Sequence, residues 1–286
     1  MKGVKIISTV IVTDSTCDMR KEISLMLDVE VVPLTVTFGG KTYKDGFGGV
    51  LKKLFYSRLR SGAITPVTSQ PSPDDFLSVF NKHKTLGNEV VYIGISSRSS
   101  GTLQAAGIAK KLCDYDGIHI VDSFQLSHGL EALVRTACRL REHGECAVSI
   151  VSKINRLIPK VRSYSVVESL KHLTRGGRVQ AANTYAEMRM DIKNLISFTD
   201  GVFTPVGKAR GRQAAFEKIY SMMAVEKINP ALPVILTHSD CREGASRLEK
   251  FLISKGLDFE YIHSEIGGVI GTHFGPDTIG VAYIEK

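Results

Sequence analysis

The chain has 286 residues, longer than the roughly 100–200 usual for one domain, so two domains or one large α/β domain are expected. Hydrophobic residues make up 43% and charged residues 23%, which permits a sizeable core and excludes global disorder, a collagen-like chain or a pure coiled coil. Lys and Arg number 37 against 29 Asp and Glu, a net charge of +8 that points to an anionic partner without choosing among phosphate, nucleic acid, a membrane surface or an acidic protein.

In chain order, the opening MKGVKIISTVIV reads as a buried first strand, Ile6–Thr13, because its short apolar run leads into Thr13-Asp14-Ser15-Thr16 without a small-residue cleavage site. Further apolar runs bounded by turn residues predict strands at Val29–Thr37, Val90–Ser96, Ile118–Asp122, Val234–His238 and Phe259–Ser264. Helical patterns lie between them at Pro73–His83, Thr102–Cys113, Gly129–His143, Val148–Val161, Gln213–Val225 and Glu243–Ser254. This alternation predicts an α/β fold with crossover helices. After Arg162–Tyr164 the pattern changes, and Asp200-Gly201 between Ile192–Phe198 and Val202–Val206 predicts an antiparallel hairpin. The expected division is therefore an N-terminal α/β domain over 1–162 and a C-terminal α/β domain over 163–286, tightly packed because no linker separates them.

Five widely spaced cysteines with no CxxC pair argue against a disulfide framework or a thiolate zinc site, and a reducing, cytoplasmic setting is expected. No stretch reaches the roughly 18 apolar residues that cross a bilayer. HExxH, GxSxG, kinase, GxGxxG and Walker A patterns are all missing, and nucleic-acid binding rests on net charge alone.

Several polar segments remain to carry function. Ile95 to Thr102, ISSRSSGT, is a hydroxyl-rich turn from strand to helix, suited to an anion at a helix N-terminus or simply to a cap at Ser100 or Thr102. Thr65 to Pro73 holds three prolines and interleaved hydroxyls, a rigid wall able to aim Thr68 at a ligand, with Ser72 as a helix cap. Asp14 and Asp18 follow the first strand, where open parallel sheets collect ligands; they fit a metal, a general base, or plain turn and cap positions. The loops after the first strand, after Ile95, after Val121 and after Leu236 are expected to converge at one sheet edge. Gly267 to Pro276 is dense in glycine around His273, which suits close backbone approach to a ligand and a hydrogen bond to a carboxylate. Clustered positive charge lies in 173–178 and 207–212.

Taken together, IVTDST at Ile11, VPLTV at Val32, GKTYKDG at Gly40, TSQPSP at Thr68, ISSRSSGT at Ile95, VDS at Val121, LTRGGRV at Leu173, GKARGR at Gly207 and IGTHFGPD at Ile270 resemble the DegV family over nearly the whole chain. These are bacterial fatty acid-binding proteins that serve fatty acid kinase. The resemblance implies a two-domain DegV-like α/β fold: a mostly parallel α/β/α sheet domain, then an α/β domain with an antiparallel hairpin, with a ligand tunnel between them. It implies a long-chain fatty acid whose carboxylate is held by Thr68, Ser100, Gly101 and His273, with Ser69, Ser97, Thr272 and Phe274 in the head-group region. Arg178 and Arg175 would face the partner kinase or its phosphate. The expected mechanism is presentation to a separate ATP-dependent kinase that makes an acyl phosphate, with no cofactor, no metal, no nucleic acid, transient contact with an anionic membrane, and a monomeric carrier. The alternative is a small-molecule hydrolase or transferase using the hydroxyl and histidine cluster. The chain departs from the family pattern at Ser99, Asn194, Phe274 and Asp277; on the resemblance, Phe274 is expected to narrow the head-group end and Asp277 to add negative charge near it.

Overall fold

The computed structural model describes residues 8–46, 48–179 and 191–286; Ile6 and Ile7 of the expected first strand lie outside them. The elements in chain order are β1 (Thr9–Asp14), α1 (Lys21–Met26), β2 (Val29–Val32), β3 (Thr35–Phe38), β4 (Lys41–Lys44), α2 (Gly49–Ser61), β5 (Val67–Ser69), α3 (Pro73–Leu86), β6 (Glu89–Gly94), α4 (Thr102–Cys113), β7 (Ile118–Asp122), α5 (Ser127–Glu142), α6 (Ala147–Leu157), β8 (Val161–Val167) and α7 (Lys171–Arg175). They continue with β9 (Ile192–Thr199), β10 (Val202–Arg210), α8 (Gly211–Ala224), β11 (Val234–His238), α9 (Arg242–Ser254), β12 (Tyr261–Glu265), α10 (Gly268–Phe274) and β13 (Ile279–Ile284).

Three sheets organise these elements. A parallel sheet runs β2-β1-β6-β7, with Ile11 opposite both Val29 and Val91. A mixed sheet runs β10-β9-β8-β13-β11-β12, in which only β11 and β12 are parallel. A small antiparallel sheet, β4-β3-β5, stands apart from both. The fold is thus α/β, with a parallel N-terminal sheet and a separate mixed C-terminal sheet.

Helices α5 and α6 join the two large sheets. Their Leu130, Leu133, Ile150 and Ile154 share one apolar core with Ile11 and Ile93 of the parallel sheet and with Val161, Ile235 and Ile284 of the mixed sheet. At roughly 1.5–3 kcal/mol for each such side chain taken from water, this layer is a main source of cohesion between the halves. The expected boundary at 162/163 falls inside β8, and no loop intervenes.

Polar groups inside that layer are satisfied by one another. His128, 1% exposed, meets the hydroxyls of Ser163 at 2.8 Å and Thr237 at 3.1 Å. Burial pushes its imidazole down to about 3, against an opposing hydrogen bond involving the Tyr164 backbone. The native state keeps His128 neutral while the unfolded chain takes up a proton below about pH 6.5, so its stability contribution is present above pH 6.5 and lost as pH falls toward 3. His128→Gln is expected to be less acid-sensitive: the difference in unfolding free energy, wild type minus variant, falls by about 1.4 kcal/mol per pH unit below 6.5. Buried Asp14, Asp18 and Asp45 are pushed upward chiefly by burial and act in the opposite sense, but equally in both proteins. Urea titrations at pH 7.5, 6 and 5 check this, and parallel pH dependences would overturn it.

Five expectations change. Val29–Thr37 is two strands in different sheets, because Pro33 lacks an N–H and interrupts the ladder between β2 and β3. The helix expected over Val148–Val161 stops at Leu157; Pro159 lies in a 3-10 turn, and Val161 already begins β8. The proline-rich loop contains β5, and the glycine-rich run at 267–276 contains α10. Of the four loops expected at one sheet edge, only the first three belong to the parallel sheet; the loop after Leu236 follows β11 of the mixed sheet. The Asp200-Gly201 turn is as predicted, with φ of 51° and 78°, the left-handed pair that a tight hairpin requires.

Candidate functional site

Asp14, wholly buried at the end of β1, ties the first two loops together. Its Oδ2 accepts the Ile95 N–H and the Tyr92 hydroxyl at 2.9 Å each, and its Oδ1 caps the 3-10 turn through the Thr16 N–H at 3.0 Å. The loop after β6 is thereby fixed in height above the sheet. Neighbouring bonds set its path: Asp122 accepts the Ser97 N–H, and Ser123 Oγ donates to Gly94 O at 2.6 Å.

That loop delivers Ser99, Ser100 and Gly101 to the start of α4. Gly101, rather than Ser100 or Thr102, is the N-cap residue. Ser100 Oγ lies 2.8 Å from Thr102 Oγ1 and accepts the Thr102 N–H at 3.3 Å. Because Gly101 lines a cavity, the N-terminal end of this 12-residue helix, with its partial positive charge, borders that cavity.

The opposite wall comes from the C-terminal half. His273, in the last turn of α10, places Nε2 3.1 Å from Thr68 Oγ1 on β5. Its Nδ1 is buried and has no hydrogen-bond partner among the described residues. The ring fits only because position 176 is glycine: a Cβ there would sit 2.3 Å from His273 Nδ1. This explains the first glycine of the LTRGGRV segment. Burial, with smaller contributions from Arg178 and His172, holds the His273 imidazole down to about 4, so it is neutral near pH 7.

Between these walls lies a cavity of about 330 Å³. Its polar lining is Thr68, Ser69, Gln70, Ser99, Ser100, Gly101, Arg178 and His273. The apolar lining draws on all three sheets' neighbourhoods, with Leu34, Ile95, Leu126, Phe203, Val269, Ile270 and Phe274. Phe203 and Phe274 meet edge to face, with ring centres 5.6 Å apart. A concave site with an apolar body and a few convergent polar groups suits an amphipathic molecule.

The structure thus brings Thr68, Ser69, Ser100, Gly101, Arg178, His273 and Phe274 together. Three other predicted residues stand off the cavity lining. Ser97 is exposed and gives its amide to Asp122; Thr272 is buried with its hydroxyl on Gly268 O at 2.7 Å; Arg175 reaches Thr65 Oγ1 at 3.3 Å. Asp277 also differs from expectation: both its oxygens are held by Arg60 at 3.1 and 3.2 Å, away from the cavity. Asp14 and Asp18 accept hydrogen bonds from the protein, and the described residues contain no group of three or more His, Cys, Asp or Glu placed to hold a metal. No helix among them is long and apolar enough to cross a membrane. Leu34, Leu126, Phe203 and Val269 were not legible as lining residues, since an apolar side chain facing a cavity reads like one facing a core.

Comparison with known proteins gives a consistent picture. A family model describing the uncharacterised DegV family matches residues 8–286. A DegV domain-containing protein of Caldanaerobacter subterraneus subsp. tengcongensis is 35% identical over 277 residues, covering 96% of this chain and 98% of the relative. A DegV family protein from Thermus thermophilus, described by its fatty acid binding, superposes with a TM-score of 0.87 at 28% identity, covering 98% of this chain and 100% of its own. A stearic acid-binding protein from Eubacterium ventriosum superposes with a TM-score of 0.84, also at 28% identity, covering 96% and 98%.

Proposed function

The chain belongs to the DegV family, and on that premise we propose that it binds a long-chain fatty acid in the cavity between its two halves, 1–162 and 163–286, and presents the carboxylate to a separate ATP-dependent fatty acid kinase that forms the acyl phosphate. The observation that carries this reading is a cavity in which hydroxyls, a helix N-terminus and a neutral imidazole are grouped against an apolar wall. Thr68, Ser100 and His273 donate to the carboxylate, and the Gly101 end of α4 supplies positive potential. The acyl chain lies against Leu34, Leu126, Val269 and Ile270, where each buried CH₂ contributes about 0.8 kcal/mol. Arg178, exposed on the cavity lining beside Ser99, faces the kinase or its phosphate, with Arg175, at the end of α7 and bonded to Thr65, as a further cation nearby in the chain. The positive balance suits loading at an anionic membrane and contact with an acidic partner.

Thr68 and His273 form a hydroxyl–imidazole pair, two of the three members of a nucleophilic triad. The third is not built among the described residues. Nothing among the described residues accepts a hydrogen bond at Nδ1 to orient the ring, and an imidazole held near 4 is a weak base at neutral pH. This favours holding a carboxylate over acyl transfer. Native mass spectrometry of protein purified from a bacterial host is expected to show an added mass equal to a fatty acid. Protein that emerges empty, takes up no added stearate and hydrolyses an ester unaided would sink the proposal.

A further inference from the structure

Helix α10 supplies Val269, Ile270, His273 and Phe274 to the cavity, yet it is only seven residues long and belongs to the C-terminal half. A helix this short is marginal by itself, so something else must set where its side chains stand. Its N-terminal end is held from the other half by three side chains that do not line the cavity. Asp18 Oδ1 accepts the Gly267 N–H at 2.8 Å; Asp45 Oδ1 accepts the Gly268 N–H at 2.8 Å and the Val269 N–H at 3.3 Å. Tyr56 Oη donates to the carbonyls of Ile266 at 2.7 Å and Gly267 at 3.1 Å.

These contacts are dry and close. Tyr56 is fully buried, and Asp18 and Asp45 are 6% and 8% exposed. A Cβ at Gly267 would lie 3.0 Å from Asp18 and 3.1 Å from Asp45, and one at Gly271 would lie 2.4 Å from Tyr56 Oη. Both glycines are therefore needed for so close an approach of the helix to Asp18, Asp45 and Tyr56. Asp18 is itself fixed by the Ser127 hydroxyl at 2.6 Å, at the start of α5. Lys52 and Arg60 lie one turn either side of Tyr56 on α2 and pair with Glu265, and with Asp240 and Asp277, so a single face of α2 grips the chain before and after α10.

We propose that Asp45, Asp18 and Tyr56 are positioning residues for ligand binding: by anchoring the amides and carbonyls at 266–269 they set the depth and rotation of α10, and so the place of His273 opposite Thr68. This deepens the fatty acid reading and rests on it, but the positioning claim is also readable without ligand. Two acceptors fixed on successive amides define the axis of a short helix, and a shift at one end is carried to the other because the intervening turns are hydrogen-bonded.

The test compares Asp45→Leu, which removes the acceptors, with Asp45→Asn, whose Oδ1 still accepts both N–H groups. Transfer of radiolabelled stearate from the protein to phosphatidylcholine vesicles is expected to be at least tenfold faster for Asp45→Leu and within threefold of wild type for Asp45→Asn. In ligand-free protein the imidazole ¹⁵N signals of His273, assigned by their loss in His273→Gln, are expected to shift in Asp45→Leu and not in Asp45→Asn. Unchanged release and unchanged signals in Asp45→Leu would overturn the proposal, as would equal loss in both variants. If Asp45→Leu does not fold, Tyr56→Phe keeps the ring and deletes only the two carbonyl contacts; it is expected to speed release about threefold and to move the His273 signals, and no change in either overturns the proposal. Wild-type protein that takes up no stearate refutes the fatty acid reading, while the ligand-free signals still decide the positioning role.

Discussion

Replacing Thr68 with valine and Ser100 with alanine together is expected to weaken fatty acid binding by about 100-fold or more. A hydrogen bond to a charged acceptor is worth about 1.5–3 kcal/mol, and about 1.4 kcal/mol is tenfold in affinity. Two such donors aimed at one carboxylate couple, so the double variant is expected to lose somewhat less than the product of the single losses. Valine preserves the shape of Thr68 while removing the hydroxyl 3.1 Å from His273. Both positions are only partly buried, but Thr68→Val also removes the hydroxyl partner of His273 Nε2, so unfolding free energy should fall by about 1 kcal/mol. Competition titration with a fluorescent fatty acid reads the affinity; a loss below threefold would remove Thr68 and Ser100 from the head-group site.

Gly280→Val is expected to be the most damaging single change to the fold, at about 4–5 kcal/mol or a failure to fold. β13 is an interior strand, paired antiparallel to both β8 and β11, so its backbone cannot retreat. A Cβ at 280 would lie 2.6 Å from His128 Cε1 and 2.6 Å from Thr237 Oγ1, both essentially without access to solvent. Overpacking a core costs about 1–3 kcal/mol, and separating His128 from its buried hydroxyl partners adds about 1–3 kcal/mol for each group left unpaired. Against a typical total of about 5–15 kcal/mol, little reserve would remain. Denaturant unfolding, or the soluble fraction on expression, measures this. A loss below about 1 kcal/mol would show that α5 can move off the mixed sheet, contrary to the shared core of the two halves.

Much of the site was visible in residue types and spacing. Ser100-Gly101 ahead of an apolar helical pattern, Thr68 among fixed prolines and His273 among glycines each had a local chemical reason to be noticed. What each glycine does was not visible: Gly176 clears the His273 ring, and Gly267 admits Asp18 and Asp45, contacts between residues about 100 and more than 200 positions apart. Asp14 and Asp18 show the same gap. Carboxylates after a first strand fit a metal, a base or a cap, and only their acceptor roles toward Ile95 and Gly267 distinguish these uses. Ser97 and Thr272 erred in the opposite direction, since a hydroxyl beside a site residue in sequence points elsewhere once the turn or helix rotates it away.

By itself the sequence determined the α/β alternation, the extents of α4 and β11, the Asp-Gly hairpin and the family pattern, because period, turn chemistry and motif order are local properties of the chain. Only the tertiary structure decided that Val29–Thr37 breaks into two sheets, that a glycine-rich run coils into a helix, and that Thr68 and His273 meet across 205 positions. Those outcomes depend on which surfaces are buried against each other, and burial is set by the whole chain at once.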